Sequence, residues 1–467
     1  MKRLLLITVA ICAFGADAQI TPEMQRVVDH ISADSMRGNL SFLASDLLEG
    51  RATPSRGLDL AAEFIAAQFR RAGLEPAGDD GYFQTATLNV REQNTDGFEF
   101  TVSGGGKTIR VDPAQTSITP RQAVRIENAP VLLIDSNRKI TPEEVSGKIV
   151  VLDVRGRVEV PQDAALVLFA AREGPSGAQV SDPETPRGPG RSTVASPELL
   201  ALLRNTKDVR ATLHVSSAIE HPAKVRNVAG LLRGSDPALR DTYVMLTAHY
   251  DHVGTRTTGE DKIYNGANDD GSGTVSVIEI ASALASLNPH PQRSILFVTF
   301  FGEERGLLGS RYYGRHPIEP LSKTIADLNL EQVGRTDASN GSQIGTASIT
   351  GFDFSEVPHI LAAAGKLTGV KVYKDSSASD PYFSRSDNQA LADVGVPAHT
   401  LCVAFDYPDY HGVGDEWPKI DYANMAKVDR AVALGLLHLA SDAPPPKWNT
   451  ANPSAEKYAE AAKKLHQ

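Results

Sequence analysis

An α/β fold with a largely parallel central sheet, interrupted by a β-rich insertion, is what the sequence predicts, on three observations. From residue 226 onward, strand-like and helix-like apolar runs alternate: "YVMLTA", "TVSVIEIASALASL", "RSILFVTFF" and later "HTLCVAF". Uninterrupted apolar strands separated by helix-length segments mark a sheet covered on both faces. The stretch from 90 to 225 differs, being rich in Val, Thr, Gly and Pro, with short strands such as "APVLLI" and "GKIVVLDV" and the run "SDPETPRGPGRSTVASP". It reads as a separate β-rich module. Before it, "LDLAAEFIAAQFRRA" (58–72) places Leu58, Ala61, Ile65, Phe69 and Ala72 on one helical face, and Gly73 stops the helix. At the far end, "DAPPPKW" closes the domain and "SAEKYAEAAKKL" is a short terminal helix. No internal repeat is present.

A chain of 467 residues suffices for two or three domains with a large core. Its 41% hydrophobic and 22% charged content is that of a soluble globular protein. A formal net charge of −10 argues against a nucleic acid or an anionic membrane as partner, since either calls for a basic face. The opening "MKRLLLITVAICAFGADAQ" has a basic start, an apolar stretch from Leu4 to Gly15 and Ala-Asp-Ala at 16–18. This is the three-part pattern of a secretory signal cleaved after Ala18, so a secreted or periplasmic protein without a membrane anchor is expected. Cys12 would leave with the signal, and Cys402 alone precludes an internal disulfide.

In such sheets ligands gather at the carboxyl ends of the strands. After "YVMLTA" come His249, Tyr250, Asp251 and His252; "YNGANDDGSGT" presents Asp269 and Asp270 just before a helix; "ILFVTFF" ends in Glu303 and Glu304. "IADLNL" leads to Glu331, and "HTLCVAFDYPDY" to His411. Taken singly, these are a solvated turn, an exposed helix start or a capped histidine. Five successive strand ends that each deliver an imidazole or a carboxylate are not. Imidazole and carboxylate without thiolate is a donor set suited to zinc or a related divalent ion.

The blocks "AHYDHVG", "NGANDDGSGT", "FFGEERGLLGS", "LNLEQVG" and "YHGVGDEW", in this order, resemble those of the co-catalytic di-zinc aminopeptidases, peptidase family 28 of the metallopeptidases. "LASDLLEGRATPSRGLDLAAEFIAAQFRRAGLEPAGDDGYFQ" is similar to the family's N-terminal segment, and 90–225 resembles the protease-associated domain often inserted there. The resemblance implies a three-layer α/β/α zinc-exopeptidase fold with a mixed, mostly parallel sheet. The expected division is a signal peptide (1–18), a peptidase domain (19–89 and 226–443), the insert (90–225) and a C-terminal tail (444–467).

It also implies two zinc ions per chain, or another divalent ion. Asp269 would bridge them, His249 and Glu331 would complete one site, and Glu304 and His411 the other. Asp251 would orient His249, Glu303 would be the general base, Tyr410 would donate a hydrogen bond to the oxyanion, and the Asp269–Asp270 peptide would be cis. Glu331 departs from the family's usual Asp by one methylene. The implied activity is aminopeptidase action on peptides with a free N-terminus. A carboxypeptidase or glutaminyl cyclase on the same fold, or a non-catalytic receptor-like ectodomain, are the alternatives. No arginine cluster beside the metal blocks offers itself to a substrate carboxylate, and a dead scaffold has no need of clustered charges.

Overall fold

The structure is a computed structural model that describes residues 19–154, 158–171, 178–185, 191–256 and 259–467. The expected signal peptide lies outside the described residues, as does part of the Pro/Gly-rich run. The chain forms two compact units. The first comprises residues through Ala86, Val225–Val253 and Tyr264–Gln467; the second comprises Thr87–Lys224 and Gly254–Ile263.

The first unit is built on a mixed sheet. Its strands are β1 (Ile219–Leu232), β2 (Tyr243–His249), β3 (Ser294–Phe300), β4 (Thr324–Leu330), β5 (Thr346–Ile349), β6 (Lys371–Tyr373) and β7 (Ala398–Cys402). They lie in the order β6-β5-β7-β4-β2-β3-β1. The central strands β3, β2, β4 and β7 run parallel, whereas β1 against β3 and β5 against β7 are antiparallel. Every residue of β2, β3 and β7 is buried, so the sheet is covered on both faces, as uninterrupted apolar strands require.

On one face, helices Pro22–His30, Ala33–Leu43, Gly273–Ala285, Val357–Thr368 and Tyr422–Leu439 pack among themselves and on β2. On the other, Tyr243, Met245, Leu296, Val298 and Phe300 form one apolar cluster with Tyr313, Leu391, Trp448 and Tyr458. The amphipathic segment is a helix over Arg56–Ala72. Ser55 Oγ accepts a hydrogen bond from the Leu58 amide at its start, and Gly73 takes the left-handed conformation (φ 82°) at its end.

The second unit is β-rich, with an eight-stranded sheet and the helix Pro197–Asn205. Its apolar cluster gathers Phe100, Val102, Ile149, Val151, Leu168, Leu199 and Leu213. Residues 254–263, read from sequence as part of the peptidase domain, fold with this unit. Among the described residues no helix is long and apolar enough to cross a membrane.

The C-terminal segment belongs to the core of the first unit. Trp448 is 7% exposed, donates its indole N–H to Gly395 O at 2.9 Å and stacks on Tyr458 at 5.1 Å, and helix Glu456–Leu465 continues from there. Trp448→Ala should therefore cost about 3–5 kcal/mol, as for other buried aromatics. Urea denaturation checks this: a solvated tail would change stability by less than ~0.5 kcal/mol.

Candidate metal centre

The parallel register brings the predicted residues together. His249 is the last residue of β2 and pairs with Phe300 at the end of β3, so Glu303 and Glu304 follow one strand over. Glu331 comes directly after β4, and its amide still donates to Leu401 O of β7 at 3.1 Å. Asp269 and Asp270 lie in the turn that opens helix Gly273–Ala285, joined by a cis peptide bond. His411 stands in the loop beyond β7, with a left-handed φ of 50°. All these chain segments meet at the carboxyl ends of the four parallel strands.

Asp269 is the hub. Its Oδ1 lies 3.4 Å from His249 Nε2, and its Oδ2 lies 3.0 Å from His411 Nε2. Glu304 Oε1 is 3.3 Å from His411 Nε2 and 2.8 Å from His252 Nδ1. Two donor groups result, His249–Asp269–Glu331 and His252–Asp269–Glu304, each with its ligand atoms within 4.8 Å of one another. They share Asp269. His411, approaching both carboxylates of the second group, converges on that side.

These atoms face a common interior and not each other. His249 Nε2, both nitrogens of His252, Asp269 Oδ2 and Glu304 Oε1 are buried and make no hydrogen bond, although charged atoms stand close. Buried polar atoms are normally satisfied, and a cluster of them is accounted for by a shared cation. The imidazole–carboxylate set suits zinc, so the residues present fit that ion.

Glu303 takes a different position. Its carboxylate is 4.0 Å from His249 Nε2, and its backbone amide donates to Asp251 Oδ1 at 3.0 Å. Asp251 has less hold on His249 than expected. His249 Nδ1 is 3.2 Å from the Asp251 carbonyl oxygen and 3.5 Å from its carboxylate. The carboxylate is engaged instead by Glu303 N–H and by Thr53 Oγ1, which donates at 3.1 Å. Tyr410 stacks on His411 at 4.2 Å and lines the cavity over the centre. That cavity, about 270 Å³, is bounded among others by Glu303, Glu331, Tyr382, Arg385, Tyr410 and His411.

Three of these neighbours were not singled out from sequence. His252 stands in the same strand-end block as His249, and its presence there was the available signal. Arg385 and Asp387 come from "SRSDN", which follows no strand and carries no motif. Asp387 is buried and accepts a hydrogen bond from Ser310 Oγ.

The protein's own groups set strong electrostatics. Burial, reinforced by Asp269 and Asp387 and opposed by His249, pushes Glu331 up to about 7. Burial likewise raises Asp387 to about 6, and burial with Glu331 and Glu304 nearby holds Glu303 well above the usual carboxylate range. Against burial and Asp269, the imidazoles of His252 and His411 hold Glu304 down to about 2. Against burial, Asp269 and Glu304 hold His411 up to about 10.

A carboxyl raised in the folded state favours protonated folded protein, so its contribution falls as pH rises from its unfolded value through its folded one. For Glu331 and Asp387 that window runs from about 4 to about 7. His411 has the same sign, with stabilisation full below about 6.5 and lost toward about 10. Glu304, lowered, contributes a constant amount above about 5. Protein stripped by a chelator should thus show a urea midpoint that falls between pH 5 and pH 8. Added zinc should raise the midpoint most at the upper end, where the carboxylates are ionised.

A mixed sheet covered on both faces, with paired His/carboxylate donor groups at its parallel strand ends, defines an α/β protein with a zinc-type centre. Residues 227–435 match the model of Peptidase family M28. A probable zinc metalloprotease of Leptosphaeria maculans is 34% identical over 129 residues, 28% of this chain and 29% of the relative. A vacuolar membrane protease of Aspergillus fumigatus is 31% identical over 137 residues, 29% of this chain and 13% of the relative. The matches thus span less than a third of these relatives' length. Among solved structures, an aminopeptidase from Aneurinibacillus sp. strain AM-1 aligns with TM-score 0.62 and 20% identity, over 90% of this chain and 97% of that one. BSAP, a zinc aminopeptidase from Bacillus subtilis, aligns with TM-score 0.61 and 19% identity, over 91% and 97%. At such identities the fold is what is shared.

Proposed function

We propose that this protein is an exported metallo-aminopeptidase that binds two divalent ions, zinc foremost, and removes N-terminal residues from peptides. The observation that carries this reading is the pair of donor groups sharing Asp269, with Glu303 beside them and a cavity above. His249, Asp269 and Glu331 would hold one ion; Asp269, Glu304 and His411 the other. When bound, such ions would supply an acidified water as nucleophile and polarise the scissile carbonyl.

The chain's residues supply the rest. Glu303, whose backbone N–H donates a hydrogen bond to Asp251 Oδ1, is placed to receive a proton at its carboxylate and hand it to the leaving amine. Glu303 and Glu304 sit in the turn that follows β3, where Glu303 O accepts from the Gly306 amide at 2.7 Å, and not on an extended segment whose side chains would alternate. Tyr410, at the cavity wall, is the candidate donor to the developing oxyanion. Glu303, Glu331 and Asp406 give the cavity an acidic lining suited to a substrate ammonium.

One observation favours a second reading. Arg385 lines the same cavity, its guanidinium 4.1 Å from the Tyr382 ring centroid. It offers a seat for a substrate carboxylate, as a carboxypeptidase on this fold would need. The two readings separate on end-blocked substrates. For an aminopeptidase, N-acetylation should lower kcat/KM by orders of magnitude, and C-terminal amidation should matter little. Strict dependence on a free C-terminus, with acetylated and free substrates equivalent, overturns the aminopeptidase reading. A receptor-like protein would purify without stoichiometric divalent metal and show no hydrolysis that chelation abolishes.

The adjacent glutamates give a sharper check. Glu303→Gln should keep metal and fold while turnover falls by roughly 10²–10⁴, the usual worth of a general base. Glu304→Gln should lower metal content. Elemental analysis beside steady-state assay decides: loss of metal from the first variant, with activity restored by added metal, reverses the two roles.

A further inference from the structure

We infer that His252 is a third imidazole of the centre, sharing through Nδ1 the ion that Glu304, Asp269 and His411 approach. The inference rests on the two-ion reading and goes beyond its expected ligands, which include no residue at position 252.

The ring is fully buried, and neither of its nitrogens makes a hydrogen bond. An imidazole carries one N–H and one lone pair when neutral, and two N–H groups when charged. Burying both nitrogens unpaired costs the full desolvation of each group, so an unassigned partner is called for. Nδ1 stands 2.8 Å from Glu304 Oε1 yet is not aligned to donate to it. An outer residue that merely oriented Glu304 would show that hydrogen bond. Two donor atoms close together but facing a common point are instead the arrangement of co-ligands. His249 Nε2 is in the same condition, 3.4 Å from Asp269 Oδ1 and without a hydrogen bond.

The surroundings fix the ring where it is. The His252 amide donates to Arg51 O at 3.2 Å. Gly266, at φ 57°, lies flat behind the ring: a Cβ there would come within 2.5 Å of His252 Cδ2. The His411 ring stands edge-on to it at 5.5 Å and 81°, with Nε2 3.3 Å from the same Glu304 oxygen. Two imidazoles thus reach Glu304 Oε1 from different directions.

The assignment makes the two ion positions unequal. One side has His252, Asp269, Glu304 and His411; the other has His249, Asp269 and Glu331. Closed sets of protein ligands hold zinc structurally, and sets of three leave a position for water or substrate. The His252 side should therefore fill first and tightest, leaving the His249–Glu331 side as the open one.

Full-length mature protein, stripped by chelator, should be titrated with Co²⁺ and with Zn²⁺ against a competing chelator. X-ray absorption of the loaded protein then counts imidazoles. Wild type should bind two ions with three imidazoles between them. His252→Asn should lose one imidazole and weaken the tighter position by more than roughly 100-fold, beyond the ~10–100-fold cost of losing an outer partner. Two imidazoles in the wild type, or a variant with unchanged imidazole count, overturns the assignment while leaving the two-ion reading standing. Fewer than two ions in the wild type removes the two-ion reading itself, and the assignment with it. Should His252→Asn fail to fold, the wild-type imidazole count alone decides.

Discussion

The rest of the structure depends on an excess of buried negative charge at one end of the sheet. Asp251, Asp269, Asp270 and Asp387 are buried there, Glu303, Glu304 and Glu331 are nearly so, and the nearby basic groups are three imidazoles, Arg51 and, on the cavity wall, Arg385. Taking a carboxylate out of water costs several kcal/mol unless an opposite charge meets it. Arg51 meets none directly. Its guanidinium donates to the carbonyls of Leu43, Tyr250, Asn265 and Gly266, and only its field reaches Asp251, Asp415, Asp270 and Asp269. Burial lowers it to about 10, so it remains a cation at neutral pH that is committed to holding loops. The carboxylates facing the interior must find their counter-charge elsewhere, and divalent ions are the compact way to provide it.

Carboxylates that do not face the interior serve as struts. Asp251 takes the Glu303 amide and so ties the end of β2 to the end of β3. Asp270 Oδ1 accepts from the amides of Gly273 and Gln332, joining the turn before the helix to the end of β4. Asp415 accepts from the amides of Asn268 and Asp269 and from the Tyr407 hydroxyl. Asn268 Oδ1 accepts from the amides of Gly334 and Arg335. Every loop that carries a candidate ligand is thus bonded to another such loop. A site held in this way spends little free energy on reorganisation when charge develops in it.

The strand ends were legible because their cause is local. A run such as "RSILFVTFF" has only one comfortable environment, a sheet covered on both faces, and whatever polar residue follows it must emerge at an end. Hence His249, Glu303, Glu304 and Glu331 were found from sequence, together with the mixed sheet. His411 and Asp269 were found because blocks in a fixed order surround them. What sequence withheld is set by long-range packing. Arg385 reaches the cavity from a segment with no periodicity, and Asp387 of the same segment is buried and held by the Ser310 hydroxyl. Trp448 lies after a triple proline that reads as the end of a domain, and only the three-dimensional structure shows its indole bonded to Gly395. His252 was visible but bland, since a histidine after a strand is most often an ordinary buried one. It was the absence of a hydrogen bond at either nitrogen that set it apart.

Glu331 shows how a departure from a family pattern can be absorbed. Its backbone is not free to retreat: the amide is bonded to Leu401 O, and the next residue, Gln332, is held at φ 54° with its own amide on Asp270. The extra methylene therefore has to be taken up by the side chain. The carboxylate nevertheless stays within 4.8 Å of His249 and Asp269, and Gln332 Nε2 donates to it at 3.3 Å. A longer side chain on an anchored Cα keeps its reach but has more rotamers than an aspartate there would have. It also lines the cavity, as His249 does not. Adaptability and exposure to the cavity thus coincide on Glu331.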